Sequence, residues 1–188
     1  MPAAYIGMGA NLPSPAGPPQ ASLAAATERL ARLGTVTARS HLYSTEPVGL
    51  IDQPRFVNAV VALETNLEPR PLLGALQEIE REFGRNRAAE IRNGPRALDL
   101  DILLFGDAIV KEIGLEIPHP RMFERAFTLI PLHEIAPDLR DPITGLRVKQ
   151  WLQRPCSAPR HDNSAIIPIQ SDLWRPGVER SAGRHGAS

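Results

Sequence analysis

The 188 residues include 21 basic and 21 acidic side chains, so the formal net charge is zero, and 43% of the residues are hydrophobic. These values are typical of one globular domain with a sizeable core, and they argue against a protein whose main partner is nucleic acid or an anionic membrane. Cys156 is the single cysteine, no apolar run reaches the roughly 18 residues of a membrane span, and the first residues lack a signal-peptide pattern. We therefore expect a cytoplasmic protein.

Strand and helix signals alternate along the first part of the chain. A short apolar stretch ends in the Gly-rich turn "GMGAN", and a helix with leucine and alanine on one face stops at Gly34. A partly alternating segment with β-branched residues follows, and then a loop with two prolines. The predicted ranges are a strand over 3–12, a helix over 20–34, a strand over 35–45 and a loop over 46–54.

The clearest strand, 55–65, and the clearest amphipathic helix, 68–84, come next. An Arg-rich connection over 85–95 leads into a further strand. The order β-α-β-β-α-β predicts an α+β, ferredoxin-like fold, with a mainly antiparallel sheet and helices packed on one of its faces. The remaining predictions are a strand from 97, a turn at Gly106-Asp107, a loop over 117–127, a helix over 127–136 and a short element over 146–153.

One domain over residues 1–154 and a tail over 155–188 are the expected organisation. The tail is rich in Pro, Ser, Arg, Gly and His, so we predict it to be largely irregular. Its apolar residues Ile166, Ile167 and Trp174 are the ones that would dock it onto the domain.

Two aspartates interrupt the apolar strand "ALDLDILLFGD" at residues 97–107. Residues two apart point to the same face of a strand, so Asp99 and Asp101 project together while Leu98, Leu100 and Ile102 face the core. Two adjacent carboxylates repel each other, and a divalent cation removes that conflict. Paired carboxylates that leave room for phosphate oxygens suit Mg²⁺.

The alternative is a solvated pair of aspartates on an edge strand, or one that forms a salt bridge with an arginine. The residues upstream favour the metal site, because four arginines fall within the twelve residues that end at Arg96. Guanidinium groups bind phosphate oxygens in a bidentate manner. Arginines next to paired carboxylates therefore favour phosphoryl transfer. The four are Arg85, Arg87, Arg92 and Arg96.

The stretch "RNGPRALDLDIL" at 92–103 resembles the signature of the 6-hydroxymethyl-7,8-dihydropterin pyrophosphokinase family of folate biosynthesis. Three further segments resemble the family in the same order and together extend the likeness over about residues 4–153: "YIGMGANL", "YSTEPVG" with "DQPRFVNAVVALET", and "IPHPRMFERAFTLIPLHEIAP". The resemblance implies transfer of pyrophosphate from ATP to the hydroxymethyl group of the pterin, with release of AMP. It also implies small-molecule substrates and a monomer.

By this resemblance, Asp99 and Asp101 hold two Mg²⁺ ions that bridge the ATP phosphates. The catalytic set is then Arg87, Arg92, Arg96, Asp99 and Asp101. The ATP-binding positions are Gln77, Glu80, Arg87, Arg92, Arg96, Ile102, His119 and Arg125. An ordinary solvated helix face remains an alternative for Gln77 and Glu80, which lie one turn apart.

The pterin is a flat heterocycle, so its site needs stacking side chains and an amide that reaches its edge. The resemblance assigns this site to two aromatic residues and an amide, Phe56, Phe127 and Asn58, and to the segment Thr45, Pro47 and Val48. Without the resemblance, both phenylalanines would be assigned to the core. Asn11 of the Gly-rich turn is expected to shape the site.

From the residues alone, two other classes of function stay open. One is a different magnesium-dependent nucleotidyl or phosphoryl transferase on a similar sheet, which the product formed from ATP would distinguish. The other is a non-catalytic nucleic-acid module of ferredoxin-like shape, against which zero net charge and 5% aromatic residues argue.

Overall fold

The structure, a computed structural model, describes residues 1–47, 49–50, 52–86, 94–154 and 166–178. Its strands are β1 (Ala3–Ala10), β2 (Thr35–Arg39), β3 (Leu42–Thr45), β4 (Phe56–Glu64), β5 (Asp99–Phe105), β6 (Val110–Glu112), β7 (Leu115–Ile117), β8 (Ile167–Ile169) and β9 (Gly177–Val178). Its helices are α1 (Pro19–Leu30), α2 (Pro69–Glu82), α3 (Ala126–Ile135) and α4 (Val148–Gln153), with one 3₁₀ turn over Met122–Glu124.

The main sheet is antiparallel, as predicted, with β1 paired between β4 and β5. The long strand β4 pairs on its other edge with β3 over its first half and with β2 over its second half. The strands β8 and β9 pair in turn with β3 and β2. The order from β1 to β5 is thus β-α-β-β-β-α-β, with one strand more than predicted between the first two helices, and two further strands lie at one edge of the sheet.

Apolar side chains fill both faces of the sheet, so the prediction of helices on one face alone is wrong. Alternate residues of β4 point to opposite sides: Val61 packs under α1 and α2 with Leu23 and Leu76, whereas Val60 packs under α3 and α4 with Leu129. The helix α3 is almost uniformly apolar, which is typical of a helix buried against a second surface.

The segment 35–45 forms two strands rather than the single predicted strand, and the break lies at Ser40 and His41. The hydroxyl of Ser40 accepts a hydrogen bond from the N–H of Val60 at 3.0 Å, while its own N–H donates to the carbonyl of Val60 at 3.0 Å. The N–H of His41 turns away to the carboxylate of Glu134 on α3, at 3.0 Å. The side-chain oxygen of Ser40 thus replaces a backbone partner and lets the strand bend.

The described part of the predicted tail, residues 166–178, adds strands to the sheet. Trp174 is 5% exposed and belongs to the core on the face of the sheet that α1 and α2 cover. Its Nε1–H donates to the carbonyl of Ser40 at 2.7 Å. Docking therefore occurs through Trp174, through Ile169, which packs against the same core, and through backbone pairing, whereas Ile167 remains 49% exposed. Residues 155–165 and 179–188 lie outside the described residues, and the domain boundary at 154 stays a prediction.

We expect Trp174→Ala to lower the free energy of unfolding by about 3–5 kcal/mol, because it empties a buried aromatic site and removes a buried hydrogen bond. Urea denaturation followed by circular dichroism measures this change. The matched control is Leu173→Ala, since that neighbouring side chain is 60% exposed and its loss should cost about 0.5 kcal/mol or less. Equal losses in the two variants would show that this segment does not complete the core.

Candidate active site

One cavity opens on the face of the sheet that α3 covers only in part. The residues that line it come from β1, β3, β4, β5 and the segment between β7 and α3. They are Gly7, Met8, Gly9, Thr45, Glu46, Phe56, Asn58, Ala59, Val60, Arg96, Asp99, Asp101, Leu103, His119, Arg121, Arg125, Phe127 and Thr128.

The two aspartates lie at one end of this cavity. They stand on the same face of β5, while Leu98, Leu100 and Ile102 are 0%, 1% and 4% exposed in the core beneath. This agrees with the strand periodicity derived from the sequence. A run of aliphatic side chains therefore anchors the strand, and the two carboxylates project from it into the cavity.

Glycines of β1 form the floor of the cavity. Gly7 is paired with Asp101, and Gly9 lies between Asp99 on β5 and Asn58 on β4. A Cβ atom at Gly9 would lie 2.9 Å from the Oδ1 of Asn58. The absence of side chains at Gly7 and Gly9 thus keeps the space between the carboxylates and Asn58 open.

The two carboxylates have different surroundings. Asp99 accepts hydrogen bonds from Arg85 and from Arg96, the second at 2.8 Å. Burial and the charge of Asp99 raise the pKa of Asp101 to about 7, an effect that Arg125 opposes. The ionised form of Asp101 is therefore disfavoured, and a cation next to this carboxylate would stabilise its negative charge.

Arg85 connects Asp99, one of the two aspartates proposed to bind metal, to helix α2. Its NH1 donates at 2.6 Å to Glu80, which is 1% exposed and also accepts from the N–H of Leu100 at 2.8 Å. A buried carboxylate is thereby paired with a buried guanidinium directly beneath β5. This pair fixes α2 against the strand that carries the aspartates.

His119 and Arg125 face the carboxylates from the segment after β7. The N–H of His119 donates to the carbonyl of Leu103 on β5 at 2.9 Å, which places this residue beside the strand. Burial and the charge of Arg125 lower the pKa of His119 to about 4, so its imidazole is neutral at pH 7. Its Nδ1 accepts from the N–H of Arg121 at 3.3 Å, so Nε2 carries the proton as a donor.

Two aromatic rings and an amide occupy the other end of the cavity. The Nδ2 of Asn58 donates to the Oγ1 of Thr45 at 2.7 Å, which fixes the orientation of the amide. The guanidinium of Arg96 lies 5.8 Å from the centre of the Phe56 ring, and a matching contact of 5.5 Å joins Arg125 to Phe127. Arginines from the carboxylate end therefore reach the rings of the other end.

Asn11 connects two loops that border the cavity. Its Nδ2 donates to the Oε1 of Gln53 at 3.0 Å and to the carbonyl of Pro54 at 2.9 Å. Its Oδ1 accepts from the N–H of Arg96 at 2.7 Å. This agrees with the expectation that Asn11 shapes the site.

The structure brings most of the predicted site residues together. Gln77, Glu80, Ile102 and Pro47 are not among the residues that line the cavity, and the substrate contacts of all the predicted residues stay predictions. Arg87, Arg92 and Val48 lie outside the described residues. Arg121 lines the cavity and was not predicted, although its place four residues before Arg125 in an Arg-rich segment was a usable signal.

Within the described ranges, no group of three or more His, Cys, Asp or Glu side chains is arranged to hold a metal ion. Two carboxylates alone would leave most positions around a magnesium ion to water and phosphate oxygens, as is usual for this metal. The same ranges contain no helix with the length and apolar character of a membrane span.

Comparison with known proteins gives a consistent result. The family model described as 7,8-dihydro-6-hydroxymethylpterin-pyrophosphokinase matches residues 5–137. The 2-amino-4-hydroxy-6-hydroxymethyldihydropteridine pyrophosphokinase of Pseudomonas aeruginosa is 53% identical over 138 residues, which are 73% of this chain and 83% of that protein. The protein of the same name from Haemophilus influenzae is 47% identical over 152 residues, 79% of this chain and 92% of that one.

A solved structure shows the same fold. The wild-type HPPK-DHPS of Plasmodium falciparum superposes with a TM-score of 0.62 at 15% identity. The match covers 81% of this chain and 44% of that one. At this identity the likeness supports the α+β, ferredoxin-like architecture and nothing finer.

Proposed function

The chain belongs to the 7,8-dihydro-6-hydroxymethylpterin-pyrophosphokinase family, and we propose that the cavity with Asp99 and Asp101 at one end and Phe56, Asn58 and Phe127 at the other is its active site. The protein is an ATP-dependent pyrophosphoryl transferase of folate biosynthesis. It transfers pyrophosphate from ATP to 6-hydroxymethyl-7,8-dihydropterin, which gives AMP and the pterin diphosphate. One observation supports the assignment of the site. The paired carboxylates and the two aromatic rings line the same cavity, and the glycines of β1 form the floor between them.

In the reaction, the hydroxymethyl oxygen of the pterin forms a bond to the β-phosphorus of ATP. The bond from that phosphorus to the oxygen it shares with the α-phosphorus breaks, and AMP leaves with this oxygen. The hydroxyl proton is lost to solvent or to a nearby base. Little covalent chemistry falls to the protein, so its contribution is to position the two substrates and to neutralise phosphate charge.

The carboxylate end has the side chains that ATP phosphates need. We assign Arg96 and Arg125 to phosphate oxygens, and His119 to the same group as a neutral donor from Nε2. The resemblance adds Arg87 and Arg92 from the Arg-rich loop, as well as Gln77, Glu80 and Ile102 on the nucleotide side. Arg121 is the further cation at this end.

The aspartates fit magnesium. They present hard oxygen ligands on one strand face, and the pKa of Asp101 is raised first by burial and then by the charge of Asp99, so a cation beside it would stabilise its ionised form. We propose that Asp99 and Asp101 hold two Mg²⁺ ions, which when bound would neutralise and orient the ATP phosphates. Arg85 and Arg96 keep Asp99 oriented for that role.

The ring end suits the flat pterin. We propose that the heterocycle stacks between Phe56 and Phe127, with its polar edge on Asn58 and Thr45. The resemblance adds Pro47 and Val48, two and three residues after Thr45 along the chain, to the residues that contact the pterin. The guanidinium contacts to both rings are consistent with ring faces that accept a π-stacking or cationic partner.

We expect AMP to form only when ATP, Mg²⁺ and 6-hydroxymethyl-7,8-dihydropterin are all present. Chromatographic separation of AMP from ADP measures this directly, and mixtures without the pterin or with excess EDTA are the controls. Formation of ADP, or of AMP without the pterin, would point to the rival phosphoryl or nucleotidyl transferase and contradict the assigned reaction.

We further propose that the enzyme is a cytoplasmic monomer. The single Cys156 is consistent with a reducing compartment. The outermost strands at this edge are β8, with three residues and a central proline, and β9, with two residues, and such short strands disfavour pairing with a second copy. Light scattering after gel filtration distinguishes a monomer from a dimer.

A further inference from the structure

The C-terminal strands lie beyond residues 5–137, the part of the chain that the family model matches, yet they contact a strand that carries a cavity residue. We propose that residues 166–178 are a positioning element for the pterin end of the active site, acting through β8 on β3. This inference rests on the proposed assignment of Thr45, Asn58 and Phe127 to the pterin.

The ladder between β8 and β3 fixes β3 on its outer side. Ile167, Pro168 and Ile169 pair with Ser44, Tyr43 and Leu42. A proline has no N–H, and hydrogen-bonded and non-hydrogen-bonded pairs alternate in an antiparallel ladder. The hydrogen-bonded pairs are therefore Ser44–Ile167 and Leu42–Ile169, and the first of them lies one residue before Thr45.

Ser44 connects this ladder to the loop that borders the cavity. Its Oγ and its carbonyl oxygen accept from the Nε and NH2 of Arg55, at 2.8 and 3.2 Å. The same guanidinium forms an ion pair with Glu46, which lines the cavity. Arg55 thus closes the base of the loop 46–55, and Ser44 is the residue against which it is held.

A second contact holds the other end of β3. Trp174 donates to the carbonyl of Ser40 at the bend before β3. Beyond that bend, Glu134 of α3 accepts from the imidazole of His41 at 2.7 Å and from the hydroxyl of Tyr43 at 2.8 Å. Because α3 begins beside Phe127, β3 is connected to both sides of the proposed pterin site.

The segment does not approach the carboxylate end. Asp99, Asp101 and Arg96 belong to β5 and the turn before it, with β1 and β4 between them and β3. A positioning role for the C-terminal strands should therefore alter recognition of the pterin and leave recognition of ATP almost unchanged. A purely structural role would alter both substrates equally or alter stability alone.

Ile167→Pro in the full-length enzyme tests this proposal. It removes the N–H of the Ser44–Ile167 pair, and its matched control is Ile167→Ala, which keeps the backbone and loses a side chain that is 49% exposed. The KM for the pterin should rise by about fivefold in the proline variant, as expected for loss of one net hydrogen bond. The KM for ATP in both variants, and the KM for the pterin in the alanine variant, should stay within about twofold of wild type.

An unchanged KM for the pterin in an active proline variant overturns the proposal, and so does an equal rise in both KM values. If the proline variant does not fold, Trp174→Phe takes its place, because it keeps an aromatic ring, although a smaller one, and removes the N–H that donates to Ser40. The same selective rise then supports the proposal, and its absence overturns it. Failure of the wild-type enzyme to form AMP with the pterin would instead overturn the proposed function.

Discussion

Asp101→Asn should lower the turnover number by about 10³-fold, or about 4 kcal/mol of transition-state stabilisation. The amide keeps the shape of the side chain and removes one of the two carboxylates proposed to hold magnesium. Turnover at saturating ATP and pterin over a range of Mg²⁺ concentrations measures the effect. Near-normal turnover in this variant would show that the metal assignment is wrong.

The same substitution should change the dependence of stability on pH. The pKa of Asp101 is about 7 in the folded protein and 3.8 for an unperturbed aspartate, so the folded state binds more protons between these values. The free energy of unfolding should therefore fall as the pH rises from about 4 to 7 and level off above 7. Asp101→Asn should remove this contribution and be more stable than wild type at pH 8 without Mg²⁺.

Asp99→Asn is the matched variant, because it removes the other carboxylate. Its turnover should fall by a similar factor, but it should gain no stability at pH 8, since it also weakens the ion pairs with Arg85 and Arg96. Urea denaturation at pH 5 and pH 8 separates the two variants. An identical pH dependence in wild type and Asp101→Asn would contradict the raised pKa of Asp101.

Glu80→Ala should lower the free energy of unfolding by about 3–5 kcal/mol. It leaves the buried guanidinium of Arg85 without one of its partners and the N–H of Leu100 without its side-chain acceptor. Glu80→Gln should lose less, because the amide oxygen can still accept both hydrogen bonds. Denaturation by urea, followed by circular dichroism, measures both variants.

Helix α2 also provides the control. Glu78 pairs with Arg81 through side chains that are 61% and 63% exposed, so Glu78→Ala should cost at most about 1 kcal/mol. Similar losses in Glu78→Ala and Glu80→Ala would show that burial of the Glu80–Arg85 pair contributes nothing. If Glu80 contacts the nucleotide, as the family resemblance implies, the KM for ATP should rise in Glu80→Gln as well.

Local periodicity was sufficient for the elements that carry the carboxylates. Alternation along residues 98–102 placed Asp99 and Asp101 on one face and three aliphatic residues on the other, because a strand with one buried face has only one register that buries them. Glu80 also lies on the apolar stripe of α2, four residues after Leu76. A nucleotide contact and a solvated helix face were nevertheless the only alternatives that the sequence offered for Glu80, and the solvated one is wrong, because this side chain is 1% exposed and paired with Arg85.

Contacts between residues distant in sequence were not predictable in the same way. The strand "IPI" of β8 has three residues and a central proline, so its pairing depends on a partner strand more than 120 residues earlier. The break at Ser40 depends on Val60, Glu134 and Trp174, which are all remote from it in sequence. The core between the sheet and α3 could be predicted only with knowledge of which face of β4 packs against this helix.

The glycine floor has a consequence for the choice of acceptor molecule. Asp99 and Asn58 stand on strands separated only by β1, and neighbouring strands lie about 4.8 Å apart, so roughly 10 Å separates the two backbones. Backbone hydrogen bonds between the strands maintain this separation, so we expect substitutions of side chains in the cavity wall to leave it unchanged. If the proposed site is correct, we expect it to select acceptors by length: lengthening or shortening the arm between ring and hydroxyl should reduce turnover even when the ring still binds.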